Sequence, residues 1–456
     1  PQLESIISRF QSNLKATRQV REEKSKAIVD DFGQLQRVRV QNVLLVCSVY
    51  DSYTFEEDGL LNELVHQWYA EHSLSKPPVI DRVSSPELAV SMFKERGNYD
   101  LVVLLARMAK SSTLVNDIAR LNPACPIALL ALNSSELVSL GPQIDRSLRL
   151  NVNKRLMWET AKAGQALPAP AGRGLPSTRK GDSLQDTWVW PFMWHGTPSL
   201  FTAMFKTVED RLNVKNDVEY GVQVLIVVED SVNFYSSYLP VLYAELWRQN
   251  KAIQVETMHT RERMLRMQSR PKIAFCTNFE EAVDMYDRYR DNVIGVITDL
   301  GFPKDGLHNE TAGLQFAAHI RTETPEVPVL MQSASPEDSS EANKARELGL
   351  KYVTKSSEAL LQNLRDFMID DLMFGPLAFT DGEGGKVLGK VNNVTELMAT
   401  WAELPLSSVA YHARHAHLSR WFLARAEFSL AKRFKASRYP DDFVDDKGQE
   451  RPDWLR

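Results

Sequence analysis

Residues 221–246, GVQVLIVVEDSVNFYSSYLPVLYAEL, have the pattern of a buried strand that leads directly into a helix. Residues 222–228 are mostly branched and apolar, which is typical of a parallel strand covered on both faces. Glu229 and Asp230 end this run, and apolar residues at helical spacing follow them. The pattern predicts the first β-α unit of an α/β sheet.

Four further apolar runs lie between helical patterns, and they cover residues 272–276, 293–298, 327–332 and 351–354. Five strands that alternate with helices indicate a doubly wound parallel sheet of flavodoxin-like order. Ligands of such sheets bind beyond the carboxyl ends of the strands. We therefore expect the functional side chains of this domain, residues 221–370, at its strand ends.

A preceding domain, residues 41–215, looks like a degenerate copy of the same pattern. Its VLLVCSVYDSYTFEEDGLL (43–61) corresponds to VLIVVEDSVNFYSSYLPVL (224–242), and more strands are predicted at 78–83, 101–105, 127–132 and 186–194. A stretch rich in Pro, Gly and Ser predicts a flexible insert near 144–186. Residues 1–40 are predicted as an N-terminal helical segment.

The last region, residues 374–456, is predicted as a small α+β module. LAFTDGEGGKVLGKV (377–391) indicates a β-hairpin with a glycine-rich turn, and two helices follow, of which the second is long and aromatic (407–434). The predicted fold class is therefore α/β: two doubly wound, five-stranded parallel sheets and a C-terminal α+β module.

Composition limits the class of protein. The 456 residues include 54 Lys and Arg against 59 Asp and Glu, a net charge of −5, and 43% are hydrophobic. Such a chain can form packed cores, and its near-balanced charge makes nucleic-acid binding unlikely as a general role. Three cysteines without CxxC spacing exclude a disulfide framework and favour a reducing compartment.

No apolar run reaches the length of a membrane helix, and no signal peptide is evident, so we expect a soluble, cytoplasmic protein that does not contact a membrane. The chain starts at Pro1 and ends at Arg456 without an obvious helix cap. The start at Pro1 predicts a trimmed chain, and whether the native protein continues past Arg456 stays open at this point.

The strand ends of residues 221–370 carry a chemically coherent set. Glu229, Asp230 and Asp299 would meet at one edge, where three carboxylates require a cation, and an all-oxygen site suits Mg²⁺. Asp299 is central, and a carboxylate that attacks phosphorus forms an acyl phosphate. Ser333 and Lys355, at the next two strand ends, would bind the phosphoryl oxygens.

These positions, in this order, resemble the receiver domain of two-component response regulators over residues 221–370. Pro303 fits the family's Asp-x-x-x-Pro turn. The resemblance implies that Asp299 is the phosphoacceptor and that Ser333 and Lys355 bind phosphate. It further implies Mg²⁺ ligation by Asp230, Asp299 and the Gly301 carbonyl, with Glu229 acting through water, and a conformational switch at Ser333 and Tyr352.

Some features depart from the family. Glu229 replaces the more usual Asp, and Ser356 stands where a Pro commonly follows the lysine, which puts the family's cis bond in doubt. The loop from Asp299 to Gly313 is longer than usual. A haloacid-dehalogenase-type phosphatase is excluded because it needs a second Asp where Gly301 stands, and a nicotinamide enzyme is excluded because no GxGxxG follows either first strand.

The first domain lacks this chemistry at the matching strand ends. Cys47 and Ser48 replace the acid pair, and Leu105 or Ala106 stands at the phosphoacceptor position. Trp194 or His195 lies near the lysine position. We therefore predict a pseudo-receiver with a structural or partner-binding role, and we expect the nearby Asp51 to belong to a solvated helix start.

Over most of its length the chain also resembles the N-terminal regulatory part of bacterial proteins related to phosphoenolpyruvate synthase and pyruvate phosphate dikinase, on the phrases YDSYTFEEDG, VEDSVNFYSSYLP and YHARHAHLSRWFLARAEFSLA. The resemblance implies a non-enzymatic regulator with a fused or associated effector and a histidine kinase or phosphotransfer protein as its partner. A homodimer is also compatible with it.

Weaker signals and two alternatives remain. His412, His415 and His417 share a segment but lack a further ligand, so a structural role is favoured over a metal site. One alternative is an interaction scaffold that keeps the fold without phosphorylation. The other is a DNA-binding regulator that acts through the basic face of residues 414–438, although no helix-turn-helix pattern is present.

Overall fold

The computed structural model describes residues 35–434 apart from 58–60, 72–75, 111–112, 123, 137–188, 256–267, 357–358 and 383. Two five-stranded, all-parallel sheets with flanking helices form the described part, together with small antiparallel hairpins. The α/β prediction is therefore confirmed. The predicted helices within residues 1–34 and the predicted insert near 144–186 lie outside the described residues.

The first sheet has the strand order β2-β1-β3-β4-β5. Its strands are β1 (Asn42–Val46), β2 (Val79–Val83), β3 (Leu101–Leu105), β4 (Ile127–Ala131) and β5 (Val189–Met193). Its helices are α1 (Val49–Glu57), α2 (Leu61–Glu71), α3 (Pro86–Arg96), α4 (Ala106–Lys110), α5 (Leu114–Leu121) and α6 (Ser199–Asp217). Four of the five strands are almost wholly buried, as runs of branched residues require.

The second sheet comprises β6 (Val224–Val228), β7 (Lys272–Cys276), β8 (Val293–Asp299), β11 (Val329–Ser333) and β12 (Lys351–Thr354), in the order β7-β6-β8-β11-β12. The lengthened loop after Asp299 forms a hairpin of β9 (Phe302–Lys304) and β10 (Leu307–Asn309). The helices are α7 (Val232–Val255), α8 (Phe279–Tyr289), α9 (Ala312–Glu323), α10 (Ser340–Glu347) and α11 (Leu360–Asp366). Each sheet places its second strand first, then its first, third, fourth and fifth, which is the flavodoxin-like order.

The two sheets share one apolar core. The cluster that fills the first unit continues through α7 and α11 onto one face of the second sheet. The other face of the second sheet packs on α8 and α9 in a separate cluster. Helix α7 is therefore buried on nearly all sides, which explains its apolar sequence. None of the described helices is long and apolar enough to span a bilayer.

Residues 35–40 are not helical, so the predicted N-terminal helical segment is wrong over this described part. The main-chain N–H groups of Gln36, Val38 and Val40 donate to the side chains of Asp217, Asn213 and Glu209 on α6. Successive donors are two residues apart and successive acceptors four residues apart, so each bond lies about one helical turn along α6 from the one before it. The bonds to α6 replace those that a helix would have made.

The C-terminal module contains the predicted hairpin, with β13 (Leu377–Thr380) antiparallel to β14 (Val387–Val391). The predicted long second helix is wrong, because after α12 (Val394–Thr400) the chain forms α13 (Leu406–Arg414), α14 (His417–Ala424) and α15 (Phe428–Arg433). The breaks occur at Ala416 and Ala426, whose φ angles are 59° and 56°. The three short helices fold together so that Trp421 and Phe422 reach the hairpin core, which one straight helix would not allow.

The three histidines of this module make contacts within the module. His412 Nε2 accepts a hydrogen bond from the Thr380 N–H at 2.9 Å, and its Nδ1 lies 2.8 Å from Nδ1 of His417. Exposed His415 bonds through Nδ1 to the Tyr411 carbonyl at 2.8 Å. Both ring nitrogens of His412 are thus engaged within the protein, which supports a structural role.

Acid is expected to destabilise the module through this histidine pair. Burial lowers the pKa of His412 to about 4, with a further contribution from His415. Burial, and then Arg420 and the neighbouring histidines, lower that of His417 to about 3. Because these values lie below the ordinary 6.5, the unfolded chain binds more protons, and stability falls as the pH drops below about 6.5.

Urea unfolding at pH 7 and pH 5 should therefore show that the contribution of this histidine pair to the free energy of unfolding is smaller at pH 5. We expect the variant His417→Leu to reduce this difference, whereas His66→Gln, at an exposed site on α2, should retain it. An unchanged pH dependence in His417→Leu would contradict the explanation.

Candidate functional site

Three buried carboxylates meet at the carboxyl edge of the second sheet. Glu229 and Asp230 follow β6, and Asp299 ends the adjacent strand β8. Each of them offers an oxygen within 4.8 Å of the others, and they are 0%, 5% and 7% exposed. The parallel pairing of β6 with β8 brings these acids together, as the strand-end reasoning predicted.

Lys355 is an ammonium ion within this acidic set. From the end of β12 its Nζ lies 2.7 Å from Glu229 Oε2 and 2.7 Å from Asp299 Oδ2. Burial alone would lower the pKa of Lys355, but the two carboxylates outweigh it and raise the pKa above its ordinary value. The amine is therefore held charged.

The site carries more negative charge than Lys355 neutralises. Burial raises the pKa of Glu229 to about 8; Lys355 opposes the rise, and Asp299 and Asp230 add to it. The donors are all carboxylate oxygens, the set that hard cations such as Mg²⁺ prefer. The residues therefore fit a divalent cation, which would lower the cost of keeping three acids ionised.

Main-chain donors orient two of the carboxylates. The Leu300 N–H donates to Asp299 Oδ1 at 2.7 Å, and the Ser231 N–H donates to Glu229 Oε1 at 3.0 Å. Each carboxylate thus has one oxygen fixed by its own loop and the other on Lys355. The Asp299 carboxylate is therefore held in one orientation, with Oδ2 turned toward Lys355.

Ser333 and Tyr352 are linked through one residue. Ser333 ends β11, which pairs with β8, and its Oγ accepts a hydrogen bond from the Ser335 N–H at 3.0 Å. The Tyr352 hydroxyl donates to the Ser335 carbonyl at 3.0 Å. A movement of the Ser333 hydroxyl would therefore be transmitted through Ser335 to Tyr352, the other predicted switch residue.

Gly301 lies two residues after Asp299 and next to the side chain of His308, which the sequence did not predict at this site. A Cβ at this glycine would lie 3.2 Å from Nε2 of His308, which belongs to the β9–β10 hairpin. No spacing rule could have placed His308 here, because its position depends on how the lengthened loop folds. The structure shows no cis peptide bond in the described residues, so the bond after Lys355 is trans.

Two aromatic residues of α7 also line the site and were not predicted. Lys355 Nζ lies 4.5 Å from the centre of the Phe234 ring. Tyr238 is fully buried, and its pKa is raised well above 10 by burial and then by Glu229. Phe234 and Tyr238 are four residues apart in the helix that follows the acid pair, so they lie on one face of it. This spacing is the sequence feature from which their place at the site could have been predicted.

The first sheet has no matching acids at its strand ends. Leu105 ends β3 as Asp299 ends β8, and Cys47 follows β1 as Glu229 follows β6. Burial raises the pKa of the Cys47 thiol to about 11, so this thiol stays protonated at neutral pH. His195 follows β5, where its Nε2 contacts the Asn233 carbonyl.

The expectation that Asp51 is solvated is wrong. Its side chain is buried, accepts a hydrogen bond from Ser48 Oγ at 2.7 Å and forms an ion pair with Arg107 at 3.0 Å. Arg107 also pairs with Glu136 at 3.2 Å. The guanidinium thus joins the helical segments that follow β1, β3 and β4, a contact between distant residues that local sequence does not reveal.

Gly313 allows α9 to start directly behind the Asp299 main chain. A Cβ there would lie 2.1 Å from the Asp299 carbonyl oxygen and 3.0 Å from Leu300 Cα. We expect Gly313→Ala to lower the free energy of unfolding by about 2–3 kcal/mol, since main-chain atoms must move apart. Gly389→Ala is the control, because its nearest neighbour would be a side-chain atom at 3.7 Å. Equal losses in urea unfolding of the two variants would contradict this.

The fold and the site together define an α/β protein with a buried carboxylate triad and a lysine at the carboxyl edge of a doubly wound sheet. No protein-family model matches the chain, and no curated protein matches it either.

Proposed function

We propose that this chain is a response-regulator-type signalling protein that accepts a phosphoryl group on Asp299. Residues 221–370 would be its receiver domain and residues 41–215 a pseudo-receiver. The observation that carries the proposal is the contact of Lys355 with Asp299 and Glu229 at 2.7 Å, beside Asp230. A nucleophilic carboxylate, a phosphate-binding ammonium and a cation site thus occupy one strand edge.

Phosphoryl transfer would proceed by attack of Asp299 Oδ2 on the phosphorus atom of the donor. A phosphorus–oxygen bond forms at Asp299, and the bond from phosphorus to the donor breaks, with its electron pair leaving on the donor. Lys355 then exchanges its contact with Oδ2 for the phosphoryl oxygens, and Ser333 donates its hydroxyl hydrogen to them.

The bound cation would be Mg²⁺. It would supply neutralisation of the phosphoryl charge at the strand edge. The groups that would hold it are Asp230 and Asp299 directly, Glu229 through water and the Gly301 carbonyl.

The donor in this proposal is a histidine kinase, a phosphotransfer protein or a small acyl phosphate. The doubly negative product would draw Ser333 toward it, and the Ser335 bridge would carry the shift to Tyr352. Neighbouring or fused effector domains, or a second copy of the chain, would receive that signal in the cytoplasm. The resemblance to regulatory parts of phosphoenolpyruvate-synthase-like proteins supports an effector of that kind.

The proposal is tested by intact mass after incubation with Mg²⁺ and acetyl phosphate. We expect one phosphate on the wild-type chain, removed by hydroxylamine, and none on Asp299→Asn. No mass gain together with no Mg²⁺-dependent binding of fluoroberyllate would refute the proposal and favour the interaction scaffold.

The DNA-binding alternative receives no support from the described part of the module. Arg420 donates to the Asp371 and His415 carbonyls, and Arg425 donates to those of Met373 and Gly375. Both guanidinium groups are therefore engaged with the protein main chain. Salt-dependent retention on DNA would nevertheless revive this alternative.

A further inference from the structure

The first two turns of α7 contact the phosphoacceptor site on one side. Phe234 lies under the Lys355 ammonium at 4.5 Å, and Lys355 contacts Asp299. Tyr238, one turn further on, is buried next to Glu229. The position of this helix therefore decides where the phosphate-binding lysine is held.

The other side of the same turns contacts the first unit. The Met193 N–H donates to Ser236 Oγ at 2.9 Å, and the Tyr235 hydroxyl donates to the Pro191 carbonyl. His195 Nε2 lies 3.2 Å from the Asn233 carbonyl. We call these contacts between the end of β5 and the start of α7 the β5–α7 seam.

The β5–α7 seam provides hydrogen-bond partners for main-chain groups at the edge of the first sheet. Among the described residues β5 pairs only with β4, and the Trp194 N–H donates to the Ala131 carbonyl, so the main-chain groups of residues 191 and 193 point away from the sheet. Pro191 has no N–H, its carbonyl accepts from Tyr235, and the Met193 N–H reaches Ser236. An edge strand otherwise leaves such groups open to other chains.

The seam also fixes the direction of the two units. Position 195 meets 233 and position 193 meets 236, so β5 runs antiparallel to α7. β6 runs antiparallel to α7 as well, because the helix returns along the strand that it follows. The carboxyl edges of the two sheets therefore open on the same side of the molecule, with the seam between them.

We propose that the pseudo-receiver is a positioning element of the phosphoacceptor site, with Phe234 as the positioning residue that acts on Lys355. Residues 235 and 236 are held by β5 and residue 233 by His195, and residue 234 lies between them in the same helical turn. A helical turn moves as a unit, so the seam sets the place of the Phe234 ring and thereby of the ammonium. This inference rests on the proposed function.

Coupling of this kind is reciprocal. If the seam favours the arrangement of Lys355 that binds a phosphoryl group, then binding of a phosphoryl mimic must stabilise the seam. Amide hydrogen exchange in residues 189–193 should therefore slow when fluoroberyllate and Mg²⁺ bind, even though these residues lie in the other unit.

The test compares Phe234→Leu and Ser236→Ala with Ser237→Ala. Ser237 is the matched control, because its hydroxyl bonds within its own helix, to the Phe234 carbonyl. Phe234→Leu keeps an apolar side chain but loses the ring beneath the ammonium, so fluoroberyllate affinity at saturating Mg²⁺ should fall about fivefold. Ser236→Ala should reduce it about threefold. Mg²⁺ affinity should stay within about twofold of the wild type, which general unfolding would not allow.

His195→Ala gives a second reading at an exposed seam position, with an expected loss of about twofold and an unchanged melting temperature. If the wild type binds fluoroberyllate and Phe234→Leu, Ser236→Ala and His195→Ala all bind it equally well, the positioning role is overturned while the proposed function stands. If the wild type takes up neither phosphate nor fluoroberyllate, the proposed function fails and this inference fails with it.

Discussion

Replacing Asp210 by Ala is expected to lower the free energy of unfolding by about 3–5 kcal/mol, the largest stability effect that we predict. Asp210 on α6 and Arg270 before β7 have fully buried side chains, joined by two hydrogen bonds of 2.9 and 2.5 Å. Asp210 also accepts from the Ile273 N–H and the Tyr243 hydroxyl. Truncation would leave a guanidinium buried without its counter-ion.

The same helix carries further buried charge pairs. Lys272 Nζ lies 3.0 Å from Asp217, and Lys206 Nζ lies 2.7 Å from Glu209. Burial lowers the pKa of both lysines, against the pull of their acidic partners. Helix α6 thus joins β7 of the second sheet through charges, so a break at Asp210 should weaken the contact between the two units.

Urea unfolding followed by circular dichroism is the measurement. The control is Asp284→Ala, which removes an ion pair with Arg288 in which both side chains are about half exposed, and should cost at most about 1 kcal/mol. The double variant Asp210→Leu with Arg270→Met should recover part of the loss, because it removes both charges. Equal losses for Asp210→Ala and Asp284→Ala would contradict the role of burial.

Lys355→Met is expected to slow phosphorylation by acetyl phosphate about 100-fold and, at the same time, to raise Mg²⁺ affinity about tenfold. The first effect follows because the ammonium would bind the phosphoryl oxygens in the transition state. The second follows because the ammonium lies 2.7 Å from Glu229 Oε2 and from Asp299 Oδ2, where its charge repels a cation held by the same carboxylates. Opposite changes in two properties cannot come from misfolding.

Mg²⁺ titration by calorimetry and the initial rate of mass gain give the two values. Lys351→Met is the control on the same strand, because Lys351 is 39% exposed and pairs with Asp371 at the surface. It should leave both values unchanged. A Lys355→Met chain that binds Mg²⁺ more weakly than the wild type would rule out competition between the ammonium and the metal.

The strands and the strand-end site were predictable because both follow from local patterns. Runs such as VLIVV and VIGVITD are too apolar for any place except a buried parallel strand. Once the strands are parallel and doubly wound, their carboxyl ends must share an edge. Asp299 and Lys355 could therefore be placed together although 56 residues separate them.

Phe234 and His308 were not placed by this reasoning. From the sequence, Phe234 is indistinguishable from an ordinary core aromatic residue of α7. Its contact with the site becomes evident only because the Lys355 ammonium lies over its ring. His308 reaches Gly301 because the lengthened loop folds back as a hairpin. Both depend on side-chain directions that spacing along the chain does not determine.

The two parallel sheets, their strand order and the residues at their carboxyl edges follow from local sequence patterns, because apolar runs and polar strand ends are recognisable without knowledge of distant contacts. Tertiary contacts determine that residues 36–40 bond along α6, that Asp51 is buried against Arg107, and that the C-terminal helix breaks at Ala416. They also determine that α7 belongs to both units. Each of these depends on bonds between segments far apart in the chain, whose free energy outweighs local preference.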